Sequence, residues 1–197
     1  MSRRLTLFPV ILPVAKARHR LSGSEKVARL SRISREALRL SAGKWGVTLG
    51  ELQKDEDDVP CPFDGHYWSL SHKSKYVSAV LSKDRIGIDI EEIKPRSKSI
   101  FSLVASDEEW ERAQDRSLST FFRYWTAKEA VLKATGVGIG GLKACWVVSV
   151  PDEHHIVLDF RDHTFRVEQL YHKNHIVSVL KEDNEIEWII EENLSYD

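Results

Sequence analysis

The sequence is short of cysteine, of long apolar runs and of net charge, and each shortage removes a class of protein. Cys61 and Cys145 are the two cysteines in 197 residues; they provide neither a disulfide framework nor metal-ligand spacing, which leaves a reduced, cytoplasmic setting as the simplest expectation. No segment approaches the ~20 apolar residues that span a bilayer, so no membrane partner is expected. The 29 Lys and Arg are offset by 30 Asp and Glu, for a formal charge of −1, so most of the surface would oppose a long polyanion, and nucleic acid is not an expected partner. What is present is a globular composition. Hydrophobic residues at 42%, charged residues at 30%, and 6 Trp, 7 Phe and 5 Tyr suffice for one large domain or two halves of about 100 residues.

The charge balance conceals an asymmetry. Residues 1–50 carry eleven bases against Glu25 and Glu36, a net +9, and the remainder stands at −10. A basic quarter on an acidic body suits a local anion site, and a phosphorylated small molecule fits it better than DNA; a solvated basic helix without a ligand is the alternative. Arg3 and Arg4, the apolar stretch 5–14 and Ala15-Lys16-Ala17 imitate an export signal. Pro9 and Pro13 interrupt that stretch and a lysine occupies the would-be cleavage site, so an edge strand leading into the basic segment is expected instead.

Ser22-Gly23-Ser24-Glu25 has the form of a capping box, and Val27, Leu30, Ile33, Ala37 and Leu40 follow at helical spacing, which predicts a helix over 24–42 ended by Gly43. Residues 51–66 form a polar loop, and strands follow at 67–72, 76–81 and 85–93. Beyond a linker over 94–99, Ser106 to Glu109 repeats the capping box for a short helix, and Ser119 to Thr135 is a longer helix stopped by Gly136. A meander of five strands is expected over 145–150, 156–160, 164–171, 176–180 and 187–190. The connections are mostly too short for parallel crossovers, which predicts an antiparallel α+β fold. Helix followed by strands occurs twice, so we expect two similar halves packed as a pseudo-dimer, 1–94 and 95–197.

Three short stretches carry chemistry. In the strand Arg85-Ile86-Gly87-Ile88-Asp89-Ile90-Glu91, alternation puts Asp89 and Glu91 on one face, ~6.5–7 Å apart. Both carboxylates can turn toward one cation, and oxygen ligands without His or Cys favour Mg²⁺ or Mn²⁺ over zinc; Gly87 leaves room for a ligand at the backbone. Two solvated acids on an edge strand are the plainer alternative. On the long helix, Glu129 and Lys133 are one turn apart beside Trp125, either as a surface ion pair or as a third metal-binding carboxylate with a phosphate clamp. Ser71 and His72 close the first of the three strands, a weak signal by itself.

Taken in order, Ser71-His72, Gly87-Ile88-Asp89-Ile90-Glu91 and Trp125-Thr126-Ala127-Lys128-Glu129-Ala130 with Lys133 resemble the three motifs of the 4′-phosphopantetheinyl transferase superfamily, in its two-halves monomeric, surfactin-synthetase-activating branch. The resemblance implies transfer of phosphopantetheine from coenzyme A to a serine of an apo-acyl or peptidyl carrier protein, with release of adenosine 3′,5′-bisphosphate. It implies Mg²⁺ at Asp89, Glu91 and Glu129, and coenzyme contacts from Ser71, His72 and Lys133. Glu129 or a water at the cation would be the base, and Arg29 would hold the 3′-phosphate, with Arg18, Lys26 and Arg32 as competitors. Lys128 is assigned a lesser, carrier-facing role, and Lys94, Arg96 and Lys98 are candidates for meeting an acidic carrier helix. One departure stands out: where the family often has Gly-Lys-Pro, this chain has Asp58-Val59-Pro60. A coenzyme A-binding protein without turnover, or a phosphodiester hydrolase built on Glu92-Ile93-Lys94 and Asp89, are the competing expectations.

Overall fold

The computed structural model describes residues 4–15, 17 and 19–192; Arg3, Lys16 and Arg18 lie outside them. The apolar stretch near the N-terminus forms two short strands, β1 (Thr6–Leu7) and β2 (Val10–Pro13), with Leu7, Val10, Ile11 and Leu12 fully buried. Helix α1 (Gly23–Lys44) begins at the expected capping box: the Ser22 hydroxyl accepts from the Glu25 amide and the Glu25 carboxylate accepts from the Ser22 amide, an arrangement that stabilises a helix by about 1 kcal/mol. Its buried face is Ile33, Ser34, Ala37, Leu38, Ser41 and Ala42, whereas Val27 is 61% exposed, so the buried stripe starts later and is rotated from the expected one.

Strands β3 (Tyr67–His72) and β4 (Tyr76–Ser82) form a hairpin, and β5 (Ile88–Glu92) follows. A 3₁₀ turn (Lys98–Ile100) leads into α2 (Phe101–Val104), then α3 (Asp107–Ala113), whose Ser106–Glu109 capping box is formed, and α4 (Leu118–Thr135), ended by Gly136 at φ 71°. A 3₁₀ segment (Ile139–Ala144) precedes the antiparallel run β6 (Trp146–Ser149), β7 (His155–Phe160), β8 (His163–His172) and β9 (His175–Leu180). Two short strands follow, β10 (Glu185–Ile186) and β11 (Ile189–Ile190).

These strands make one sheet in the order β11-β2-β4-β3, covered by α1, and a second in the order β5-β9-β8-β7-β6, covered by α4; β1 and β10 pair separately. The fold is therefore mixed α and β with antiparallel-rich sheets. Both parallel pairings, β1 with β10 and β11 with β2, join the two ends of the chain. Residues 187–190, expected as the last strand of the C-terminal meander, instead leave that sheet and run along the N-terminal strands. The exchange works in both directions, because β5, from the first half of the chain, forms the edge of the second sheet.

Two contacts hold β5 in place. Its free edge is closed by serines from β3: Ser69 Oγ accepts from the Ile88 amide at 3.1 Å and Ser71 Oγ from the Ile90 amide at 3.3 Å. On its other side α4 lies so close that a Cβ on Gly87 would stand 1.8 Å from the Ala130 carbonyl oxygen. The space that Gly87 was expected to leave for a ligand is filled by this helix, and the glycine serves helix-to-strand packing.

Candidate active site

Asp89 and Glu91 alternate with Ile88 and Ile90 on β5 and face α4, and each is more than nine-tenths buried. Asp89 Oδ1 accepts from the Ser71 hydroxyl at 2.7 Å and from Lys133 Nζ at 2.8 Å. Lys133, on the last turn of α4, also donates to the Ile88 carbonyl at 3.0 Å. Glu91 Oε1 pairs with Lys73 Nζ at 2.5 Å. Glu129, one turn before Lys133, lies within the electrostatic reach of both β5 acids and of both lysines. The second oxygens, Asp89 Oδ2 and Glu91 Oε2, and Oε1 of Glu129 are buried without a hydrogen-bond donor.

The electrostatics follow from that geometry. Burial pushes the Glu91 carboxyl above its ordinary range against the pull of the Lys73 ammonium. Burial also raises Glu129, reinforced by the negative charge of Asp89 and opposed by Lys133. The His72 imidazole is held below its usual value, first by burial and then by Lys133. As the side chains stand, no three His, Cys, Asp or Glu groups among the described residues are gathered closely enough to hold a metal ion, and lysine ammoniums occupy one oxygen each of Asp89 and Glu91. Yet three carboxylates within mutual electrostatic reach, each with one buried acceptor lacking a donor, form a set that a hard divalent cation satisfies. The residues fit such an ion.

Beside the acids lies a cavity of about 830 Å³ between α1, the 52–60 loop, β3 and the end of α4. Arg35, Lys54, His72 and Lys133 bring positive or ionisable nitrogen to its wall, and Asp57 and Asp58 oppose them from the loop. Lys133 belongs to both places, lining the cavity and holding Asp89 with its ammonium.

The structure thus brings together Ser71, His72, Asp89, Glu91, Glu129 and Lys133. Arg29 does not line the cavity; its guanidinium donates to the Ala15 carbonyl at 2.8 Å. Ser71, expected on the coenzyme, turns its hydroxyl to Asp89. Lys128 does not face outward as expected: it is 1% exposed, pairs with Glu109 Oε1 at 2.6 Å and donates to the Val104 carbonyl at 2.6 Å. Sequence reasoning missed Arg35, Lys54 and Lys73. Arg35 stands next to Ser34 and four residues after Ser31, and that run of small polar residues is the signal that this edge of α1 meets a cavity.

The comparisons agree with the motifs. Residues 85–193 match the family model described as the 4′-phosphopantetheinyl transferase superfamily. The chain belongs to this superfamily. Among its relatives, the 4′-phosphopantetheinyl transferase HetI of Nostoc sp. is 32% identical over 125 residues, 56% of this chain and 53% of that protein. The 4′-phosphopantetheinyl transferase gsp of Aneurinibacillus migulanus is 35% identical over 93 residues, 45% of this chain and 39% of that protein. A 4′-phosphopantetheinyl transferase of Bacillus subtilis is 26% identical over 121 residues, 59% of this chain and 54% of that protein. The chain spans about half the length of the curated relatives it matches. The superfamily match begins at Arg85 and so takes in Asp89, Glu91, Glu129 and Lys133, while the cavity wall from α1 and the 52–60 loop lies before it.

Proposed function

We propose that the protein transfers the 4′-phosphopantetheine group of coenzyme A to a serine hydroxyl of an apo-carrier protein, in a Mg²⁺-dependent reaction that releases adenosine 3′,5′-bisphosphate. The observation that carries this reading is the position of Lys133, which joins a nitrogen-rich cavity to a centre of under-coordinated carboxylates. A diphosphate ester needs both: a cradle for its nucleotide end and concentrated positive charge at the bond that breaks.

Asp89, Glu91 and Glu129 would hold Mg²⁺, or Mn²⁺ in its place, and the ion would neutralise the diphosphate and stabilise charge on the leaving phosphate. Lys133 contacts the diphosphate from the cavity side, and His72 contacts the coenzyme's phosphates. Arg35, not Arg29, takes the 3′-phosphate, because its side chain lines the cavity. Glu129, whose Oε1 is buried without a donor, accepts the proton of the attacking serine. Ser71 acts on Asp89, donating to Oδ1 and leaving Oδ2 for the cation. The two sheets, each with one covering helix, support the reading of two halves packed as a pseudo-dimer; a monomeric, cytoplasmic chain is part of the same proposal.

The hydrolase alternative loses its support. Glu92 lies on the face of β5 opposite Asp89 and is tied to Lys75 at 2.5 Å. The test is the intact mass of a panel of apo-carriers incubated with the protein, coenzyme A and Mg²⁺. A gain of one phosphopantetheine, lost with chelator, is the expected result. Coenzyme binding with every carrier unmodified would leave a binding protein without turnover.

A further inference from the structure

Two lysines share the acid centre, and they are held very differently. Lys133 comes from a packed helix and donates to Asp89 and to the Ile88 carbonyl. Lys73 sits at the tip of the β3–β4 hairpin, its side chain 31% exposed against 10% for Glu91, and among the described residues its ammonium pairs with Glu91 alone. The hairpin is closed by its own backbone bond from the Lys73 amide to the Tyr76 carbonyl and is tied to β5 a second time through Lys75 and Glu92. The tip therefore keeps its place whether or not the Lys73 side chain stays on Glu91.

We infer that Lys73 is a displaceable counter-ion: it occupies Glu91 while the divalent cation is absent, is exchanged off that carboxylate when the cation binds, and so sets the metal affinity of the site. This rests on the reading that Asp89, Glu91 and Glu129 hold the cation. The exchange breaks one ammonium–carboxylate pair and forms one cation–carboxylate contact; the released ammonium, next to His72, turns to solvent or to an anionic ligand. Lysine suits the part, since its compact charge is strongly hydrated and its four-carbon stem is flexible. The ammonium 2.5 Å from Glu91 Oε1 blocks a ligand position and repels a second positive charge. Glu91 Oε2, buried and without a donor, remains as the point of entry.

The test measures binding of Mn²⁺ alone, by the electron paramagnetic resonance signal of the free ion, to the full chain at mildly alkaline pH and fixed ionic strength, without coenzyme or carrier. Lys73→Ala is expected to bind Mn²⁺ about three- to ten-fold more tightly than the unaltered protein, the scale of removing one partly exposed competing charge. Lys73→Arg, which keeps the charge, is expected to bind no more tightly than the unaltered protein. Affinity unchanged or weakened in Lys73→Ala overturns the inference. Asp89→Asn, run alongside, separates the two claims. If it loses Mn²⁺ while Lys73→Ala is unchanged, the counter-ion role alone fails; if it binds as well as the unaltered protein, the metal centre itself is elsewhere and both claims fall.

Discussion

Lys128 and Lys133 lie within two turns of one helix, and both reach buried carboxylates, yet they serve opposite ends. Around Lys128 every acceptor has its donor: Glu109 Oε1 takes the Lys128 ammonium and the Val147 amide, and Glu109 Oε2 takes the Ser106 amide of its own capping box. The Tyr124 hydroxyl donates to the Glu109 carbonyl, and burial pushes its pKa up to about 12. That network ties α3, α4 and β6 together and leaves nothing for a ligand to do. Around Lys133 the carboxylates are only half satisfied, with Asp89 Oδ2, Glu91 Oε2 and Glu129 Oε1 buried and unpaired. Completeness of hydrogen bonding therefore distinguishes the structural ion pair from the one at the proposed reacting centre, where charge, burial and helix position do not.

Substitutions should separate the two centres cleanly. Asp89→Asn is expected to lower carrier modification by about 10²–10³-fold, the range for losing one electrostatic contact at a reacting centre, while a urea unfolding curve stays close to that of the unaltered protein. A large fall in stability with activity retained would reverse the comparison. Lys128→Met leaves the Glu109 charge buried without its partner and should cost about 3–5 kcal/mol of unfolding free energy. Replacing both members, Lys128→Met with Glu109→Gln, should recover part of that loss, because the uncompensated charge is gone. If Lys128→Met instead melts normally and only carrier modification falls, Lys128 belongs with the reactive group after all.

The sequence revealed what local signals encode. Both capping boxes form, because a serine and a glutamate three residues later satisfy each other's backbone donors without help from the rest of the fold. Gly136 ends α4 in the left-handed conformation that favours glycine. The alternation in β5 put Asp89 and Glu91 on one face correctly. What escaped depends on partners distant in the chain. Nothing in residues 187–190 distinguishes a meander strand from one that pairs in parallel with Val10 and Ile11. The buried face of α1 departs from its apolar stripe because the contact with the sheet uses serines: Ser41 Oγ accepts from the Leu81 amide at 3.0 Å, and an apolar count passes over it. The same rotation brings Arg35 to the wall of the cavity.

The rotation of α1 can be tested directly. Arg35→Ala should raise the KM for coenzyme A about ten-fold with little change in kcat, as expected for loss of one charge-assisted contact made equally in ground and transition states. Arg29→Ala, whose side chain holds a backbone carbonyl outside the cavity, should change KM less than two-fold, within the scatter of surface substitutions. The reverse order would restore the phase read from the apolar residues.

The smallest expected effect concerns a third buried cluster, where the β8–β9 hairpin meets β4. Both nitrogens of His175 and Nε2 of His172 are buried without partners, and the Tyr76 ring lies edge-on to each imidazole at 4.8 and 5.0 Å. Burial holds both histidines below the usual imidazole value, with the Glu92 carboxylate opposing the shift at His175. Between the depressed native value and the ordinary one the unfolded chain binds more protons, so their contribution to stability is complete above the ordinary value of about 6.5 and is lost as pH falls below it. Glu91 and Glu129, whose carboxyls are raised, act in the opposite direction, so the quantity to measure is the difference in melting temperature between the unaltered protein and His175→Gln across that range. A glutamine does not titrate there, and the difference should shift in favour of the variant as the solution is acidified. A difference independent of pH would mean that protonated His175 finds a partner within the fold, and the cluster would then resemble Lys128 and its satisfied surroundings more than the half-satisfied acids of the site.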